Sequence, residues 1–78
     1  MDRKQILEEV NEIFIDTLDD DEIVIKEGSS ADDIEDWDSL THIQLVVATE
    51  KAFSIRFTSK EIQSWQNVGE MINCIISK

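Results

Sequence analysis

Few side chains in this sequence could do chemistry: one histidine, His42, one cysteine, Cys74, and a serine, Ser39, set between Asp38 and Leu40 where a helix is predicted to begin. Ser39 and His42 are three residues apart, so on a helix they would be neighbours. No third group stands by to orient the imidazole, so this pair does not make a nucleophile and base. His42 falls near the core side of its helix, where packing or solvation of the first turn is expected rather than catalysis. Cys74 lies on the flank of the last predicted helix with no cation nearby to favour a thiolate, and reads as an inert small hydrophobe. The only glycines are Gly28 and Gly69, so there is no glycine-rich phosphate loop. Acids are dense, but neither Asp19, Asp21 and Ile23 nor the set Asp32, Asp33, Glu35, Asp36 and Asp38 has the alternating oxygen-ligand spacing of a calcium loop. No dedicated metal site is predicted.

Ser39 is the exception. Alone, it would be an ordinary N-cap, a role Asp38 could equally fill. A helix N-terminus also presents free amide hydrogens and a partial positive charge, which tolerate an anionic ester on a hydroxyl. Below it the helix is apolar on two sides. At about 100° per residue, Leu45, Val46, Ala48, Ala52 and Phe53 gather on one side, and Leu40, Ile43 and Val47 on the other, among Gln44, Glu50 and Lys51. One apolar stripe is enough to dock a helix on a core. The second stripe therefore predicts a visiting partner. No local base can activate the hydroxyl, and Asp38 would repel an incoming phosphate, so any modification of Ser39 must be made by another enzyme that brings its own base and metal.

The elements that must position these residues are all helical. Ile6, Leu7, Val10, Ile13, Phe14 and Leu18 recur at three- and four-residue steps and predict a helix over 3–18. It ends in Asp19-Asp20-Asp21-Glu22, acids gathered where a helix C-terminus prefers cations. Residues 19–38 read as a long ordered loop with turn chemistry at Gly28-Ser29-Ser30 and apolar anchors Ile23, Ile25, Ile34 and Trp37. A loop near twenty residues in so small a chain is usually functional. Glu22 to Lys26 could be extended, but a lone strand would have no partner. The next helix runs to about Phe53, and Ile55 and Phe57 point inward from a short connector. Thr58-Ser59-Lys60-Glu61 has the form of a capping box and starts a short helix carrying Ile62. Asn67-Val68-Gly69-Glu70 repeats that logic for a last helix with Val68, Met71, Ile72, Ile75 and Ile76 on one side. The expected fold is all-α, with three longer helices and a short third one packed as a bundle.

Size and charge narrow the function. Seventy-eight residues make one domain, and a 41% hydrophobic content can build its core. The chain reads as complete, without signal peptide, linker or repeat. No apolar run approaches the roughly 20 residues of a membrane span, and a single cysteine fits a reducing cytoplasm. The net charge is −11. Nucleic acids and anionic membranes need clustered Lys and Arg, so neither is expected as a partner. Residues 1–39 hold 15 acids and 3 bases, whereas residues 40–78 hold 3 acids and 4 bases. The acidity precedes the Ser39 helix, either as a solvated loop or as a docking surface for basic partners.

Trp37-Asp38-Ser39-Leu40-Thr41-His42-Ile43-Gln44-Leu45 resembles the phosphopantetheine attachment site of acyl and peptidyl carrier proteins, and the likeness extends over essentially the whole chain. The resemblance implies a four-helix bundle of the acyl-carrier type, with residues 1–78 as a single monomeric, non-catalytic carrier domain. It implies a covalent 4′-phosphopantetheine arm on Ser39, added from coenzyme A by a phosphopantetheinyl transferase that Asp38 helps to orient. Acyl-loading and acyl-processing enzymes would then meet Leu40, Ile43 and Val47, with Asp36 and Glu50 at the edges of that surface. It also implies that the core between helices can shelter an acyl chain. The sequence departs from the carriers of fatty-acid synthesis. Asp36-Trp37 replaces their glycine-alanine pair, and the acidity has moved from the Asp-Ser-Leu helix into the loop before it. A dedicated polyketide, peptide, lipid or surface-glycan pathway is therefore expected. The alternatives are a D-alanyl carrier, an unmodified helical adaptor using Leu40, Ile43 and Val47, and a calcium-responsive acidic domain.

Overall fold

In the computed structural model, which describes residues 2–78, four helices follow one another: α1 (Arg3–Leu18), α2 (Ser39–Phe53), α3 (Ser59–Ser64) and α4 (Val68–Ile76). Each starts where a side-chain oxygen can satisfy the orphan amides of a first turn. Asp2 and Gln5 form a reciprocal capping box on α1, Thr58 and Glu61 another on α3, and Asn67 accepts from the Glu70 amide on α4. The acidic run does end α1. Asp19 adopts a left-handed conformation with φ 52°, and its amide closes on the Ile15 carbonyl. Ser54 ends α2 in the same way, with φ 56°. Both positions lie in the region where glycine is usual and a short polar side chain is the next best choice.

Ile6, Val10 and Phe14 of α1, Leu45 and Val46 of α2, and Val68, Met71, Ile72 and Ile75 of α4 make the core. The expected loop anchors Ile23, Ile25 and Trp37 are buried with them, and Ile34 packs partly against them. No strand occurs among the described residues. Two expectations from helical phase fail, and one buried residue was not expected. Ala52 is exposed and Ile76 is half exposed, because phase fixes direction but not how far the neighbouring elements extend. Thr49 is wholly buried, and its hydroxyl donates to the Leu45 carbonyl at 2.7 Å, so a polar residue completes the inner face of α2.

The loop from 19 to 38 is tied at both sides, and this is what places Ser39. Asn11 Oδ1 accepts from the Ile25 amide at 2.8 Å. The Val68 and Gly69 amides donate to the carbonyls of Ser29 and Glu27 at 2.9 and 2.7 Å. A Cβ on Gly69 would lie 3.0 Å from the Glu27 carbonyl oxygen, so glycine permits this close crossing. The Arg3 guanidinium spans the junction, donating to the Glu27 carboxylate and to Asn73 Oδ1.

Candidate functional site

The first turn of α2 is organised by Asp38. Its backbone is extended, and its Oδ1 accepts from the Leu40 and Thr41 amides at 2.9 and 3.0 Å. Its own amide donates to Thr41 Oγ1 at 2.8 Å, and that hydroxyl donates onward to the Asp36 carbonyl at 2.7 Å. The bond from the Thr41 amide, then that from Leu40, holds the Asp38 carboxyl below its usual range. This settles which residue caps the helix. Asp38 is the N-cap and Ser39 is the first helical residue. Ser39 is exposed, and its hydroxyl makes no hydrogen bond among the described residues. Either oxygen suits a cap, so the sequence left both open. The structure spends the aspartate and leaves the serine free.

The outer face of α2 is as the periodicity predicts. Leu40, Ile43 and Val47 are 70%, 61% and 44% exposed, an apolar strip running down the helix from Ser39. Asp36 is exposed just before it. Glu50 is half-buried, and its carboxylate accepts from the Phe57 amide at 2.8 Å. It therefore pins the α2–α3 connector, beside a recess of about 450 Å³ lined by Val47, Lys51, Ser54, Ile55 and Arg56.

His42 lies one turn beyond Ser39 and belongs to a row of rings. Phe14 meets the Trp37 edge at 5.0 Å between centroids, and Trp37 stacks on His42 at 6.0 Å with 24° between planes. Trp65 then meets His42 at 5.8 Å, and Phe57 meets Trp65 at 4.8 Å. Trp37 Nε1 donates to His42 Nδ1 at 3.1 Å, and His42 Nε2 lies 3.4 Å from the Ile62 carbonyl. With Nδ1 accepting, the Nε2–H tautomer is the one that satisfies both contacts. Of the two roles expected for His42, packing and first-turn solvation, the structure shows packing. No spacing rule connects His42 to Trp65, 23 positions away, which completes the row.

Cys74 does not stand as expected. A cation is nearby after all: Lys78 Nζ lies 2.8 Å from Glu61 Oε1, while the Cys74 thiol donates to Glu61 Oε2 at 3.2 Å. The lysine is paired with the carboxylate between them. Burial first, then Glu61, pushes the thiol above its usual range. The Lys78 ammonium, then the Thr58 amide, brings Glu61 down to about 2. Among the described residues, no three His, Cys, Asp or Glu side chains group to hold a metal ion, and no helix is long and apolar enough to cross a membrane.

Known proteins resemble this chain in sequence and in fold. A family model described as "Phosphopantetheine attachment site" matches residues 6–75. An acyl carrier protein of Petrotoga mobilis is 32% identical over 80 residues, covering 100% of this chain and 92% of that protein. One of Caulobacter vibrioides is 38% identical over 74 residues, covering 94% of each. The solution structure of a holo acyl carrier protein from Geobacter metallireducens superposes with a TM-score of 0.86 at 39% identity, covering 92% of this chain and 83% of that one. The all-α bundle, the capped Asp-Ser-Leu turn and these matches agree: the chain belongs to the acyl carrier protein family.

Proposed function

We propose that this chain carries acyl groups as thioesters on a 4′-phosphopantetheine arm joined to Ser39 Oγ. Like its family, it is a carrier and not a catalyst. The observation that supports Ser39 most directly is its free, exposed hydroxyl at the first residue of α2, with Asp38 already serving as the cap. The residues present fit the group. The hydroxyl has room around it, and the amide end of α2 favours the negative charge of a phosphodiester. When attached, the arm supplies a terminal thiol able to hold an acyl group.

The chain's own part in acquiring the arm is limited to presenting the serine. In that transfer Ser39 Oγ bonds to the phosphorus bearing the pantetheine, the pyrophosphate bond of coenzyme A breaks, and the nucleotide leaves. The serine proton goes to a base on the transferase. Asp38 orients the transferase's metal and substrate. Leu40, Ile43 and Val47, with Asp36 and Glu50 beside them, form the surface that the transferase and later acyl-loading and acyl-processing enzymes meet. Residues 1–78 act together as one monomeric carrier unit in the cytoplasm.

The pathway is a dedicated one. α2 bears one acid, Glu50, and that carboxylate is engaged with the Phe57 amide, while Asp32, Asp33, Glu35 and Asp36 stand exposed in the loop ahead of it. This charge pattern favours partners whose basic groups sit over the loop rather than along the helix.

Intact mass after incubation with coenzyme A and a broad-specificity phosphopantetheinyl transferase tests the reading. The wild type gains one arm and Ser39→Ala gains none. A folded wild type that gains nothing overturns it and leaves the unmodified adaptor.

A further inference from the structure

We infer that this carrier keeps its cargo outside the bundle, which suits it to short or polar acyl groups rather than long hydrocarbon chains; the inference rests on the attachment proposed at Ser39. From Ser39, the seam where the first turn of α2 meets Ile62 of α3 and Trp65 leads towards the core. His42 stands in that seam, one helical turn from Ser39, with its Nε2 against the Ile62 carbonyl of α3. Trp37 and Trp65 close on it from either side, and Phe14 and Phe57 extend the row at both ends.

The closure is anchored at Trp37. Trp37 is buried, and its indole N–H is satisfied by His42 Nδ1. Parting the rings would leave a buried donor without its acceptor as well as breaking ring contacts. Behind the row, Phe14, Val10, Leu45, Thr49, Val68, Met71 and Ile72 are each less than 2% exposed, so a chain that passed would meet packed side chains. An apolar groove does exist at Ile6, Phe53, Ile55, Ile75 and Ile76. It begins at the far end of α2, about 20 Å from Ser39 by the helix rise, so an arm would be used up in reaching it. The nearer recess beside Val47 is walled by Glu50, Lys51, Ser54 and Arg56 as well as Val47 and Ile55. A long chain would therefore remain largely against water and charge, at a cost that grows with each methylene. A short or polar group has little to lose there.

The test uses the whole protein loaded by a broad-specificity transferase from acetyl- or octanoyl-coenzyme A, with loading verified by intact mass. Melting temperature and amide and indole NMR shifts are then compared. The two loaded forms are expected to melt within about 1 °C of each other, with the Trp37 and Trp65 indole resonances and the Leu45, Thr49 and Ile75 amides unmoved. A wild type that melts several degrees higher with octanoyl, with those resonances shifted, overturns the inference and leaves the carrier reading standing. Failure to load either group overturns the carrier reading itself. His42→Ala, checked for helix content, should open the seam and acquire chain-length dependence. A folded His42→Ala that stays indifferent to chain length overturns the role given to the ring row. If that variant does not fold, the wild-type comparison decides alone.

Discussion

Two nucleophilic side chains, Ser39 of α2 and Cys74 of α4, differ in what the neighbouring carboxylate is doing. At the start of α2, Asp38 turns its carboxylate onto the Leu40 and Thr41 amides and leaves the adjacent hydroxyl unbonded and exposed. Between α3 and α4, Glu61 accepts from the Cys74 thiol itself with one oxygen and pairs with Lys78 through the other. The intrinsically better nucleophile is the one kept quiet. The contrast teaches that a candidate site is read from what its neighbours consume as much as from which residue is present.

Substitutions can break or sharpen this contrast. Ser39→Ala has the largest expected effect: complete loss of arm transfer by intact mass, with stability unchanged within about 0.5 kcal/mol because no bond is lost. Val47→Glu, on the exposed strip, should lower the transferase's kcat/KM roughly tenfold, about 1.4 kcal/mol, while the melting curve stays put. Asp38→Ala removes the cap and should cost about 1 kcal/mol in a denaturant titration. Its unbonded amides then show faster hydrogen exchange at Leu40 and Thr41. Glu61→Gln has the smallest effect at neutral pH and shows itself in acid. Because the folded state lowers this carboxyl from its ordinary 4.5 to about 2, its contribution is full above about pH 4.5 and is lost as pH falls towards 2. The variant should lose less stability than the wild type across that window. It should also alkylate faster at Cys74 near pH 8, since one cause of the raised thiol is gone.

Much of this was legible in the sequence, and the reasons are local. Capping oxygens at Asp2, Thr58 and Asn67 and apolar three- and four-residue spacing act within a turn or two, so the four helices and the two-sided α2 could be read directly. The choice between Asp38 and Ser39 as cap could not, because both offer an oxygen at the right place and only the backbone decides. Thr49 was missed because its hydroxyl is satisfied by its own helix, four residues back, which lets a polar residue behave as core. Ala52 and Ile76 were placed inside because periodicity carries no information on where a neighbouring helix stops. The ring row from Phe14 to Phe57 and the Arg3 bridge to Glu27 and Asn73 join residues far apart in the chain, and no spacing rule reaches that far.

The crossing at Gly69 has a consequence for how the molecule opens. The Val68 and Gly69 amides belong to the last helix, yet their acceptors are carbonyls of Ser29 and Glu27 in the long loop. Neither amide can exchange its hydrogen with solvent until loop and helix part. Their exchange rates therefore time the detachment of the whole 19–38 segment from the bundle. If those two exchange as slowly as the buried amides of α1, the segment that presents Ser39 unfolds only when the entire protein does.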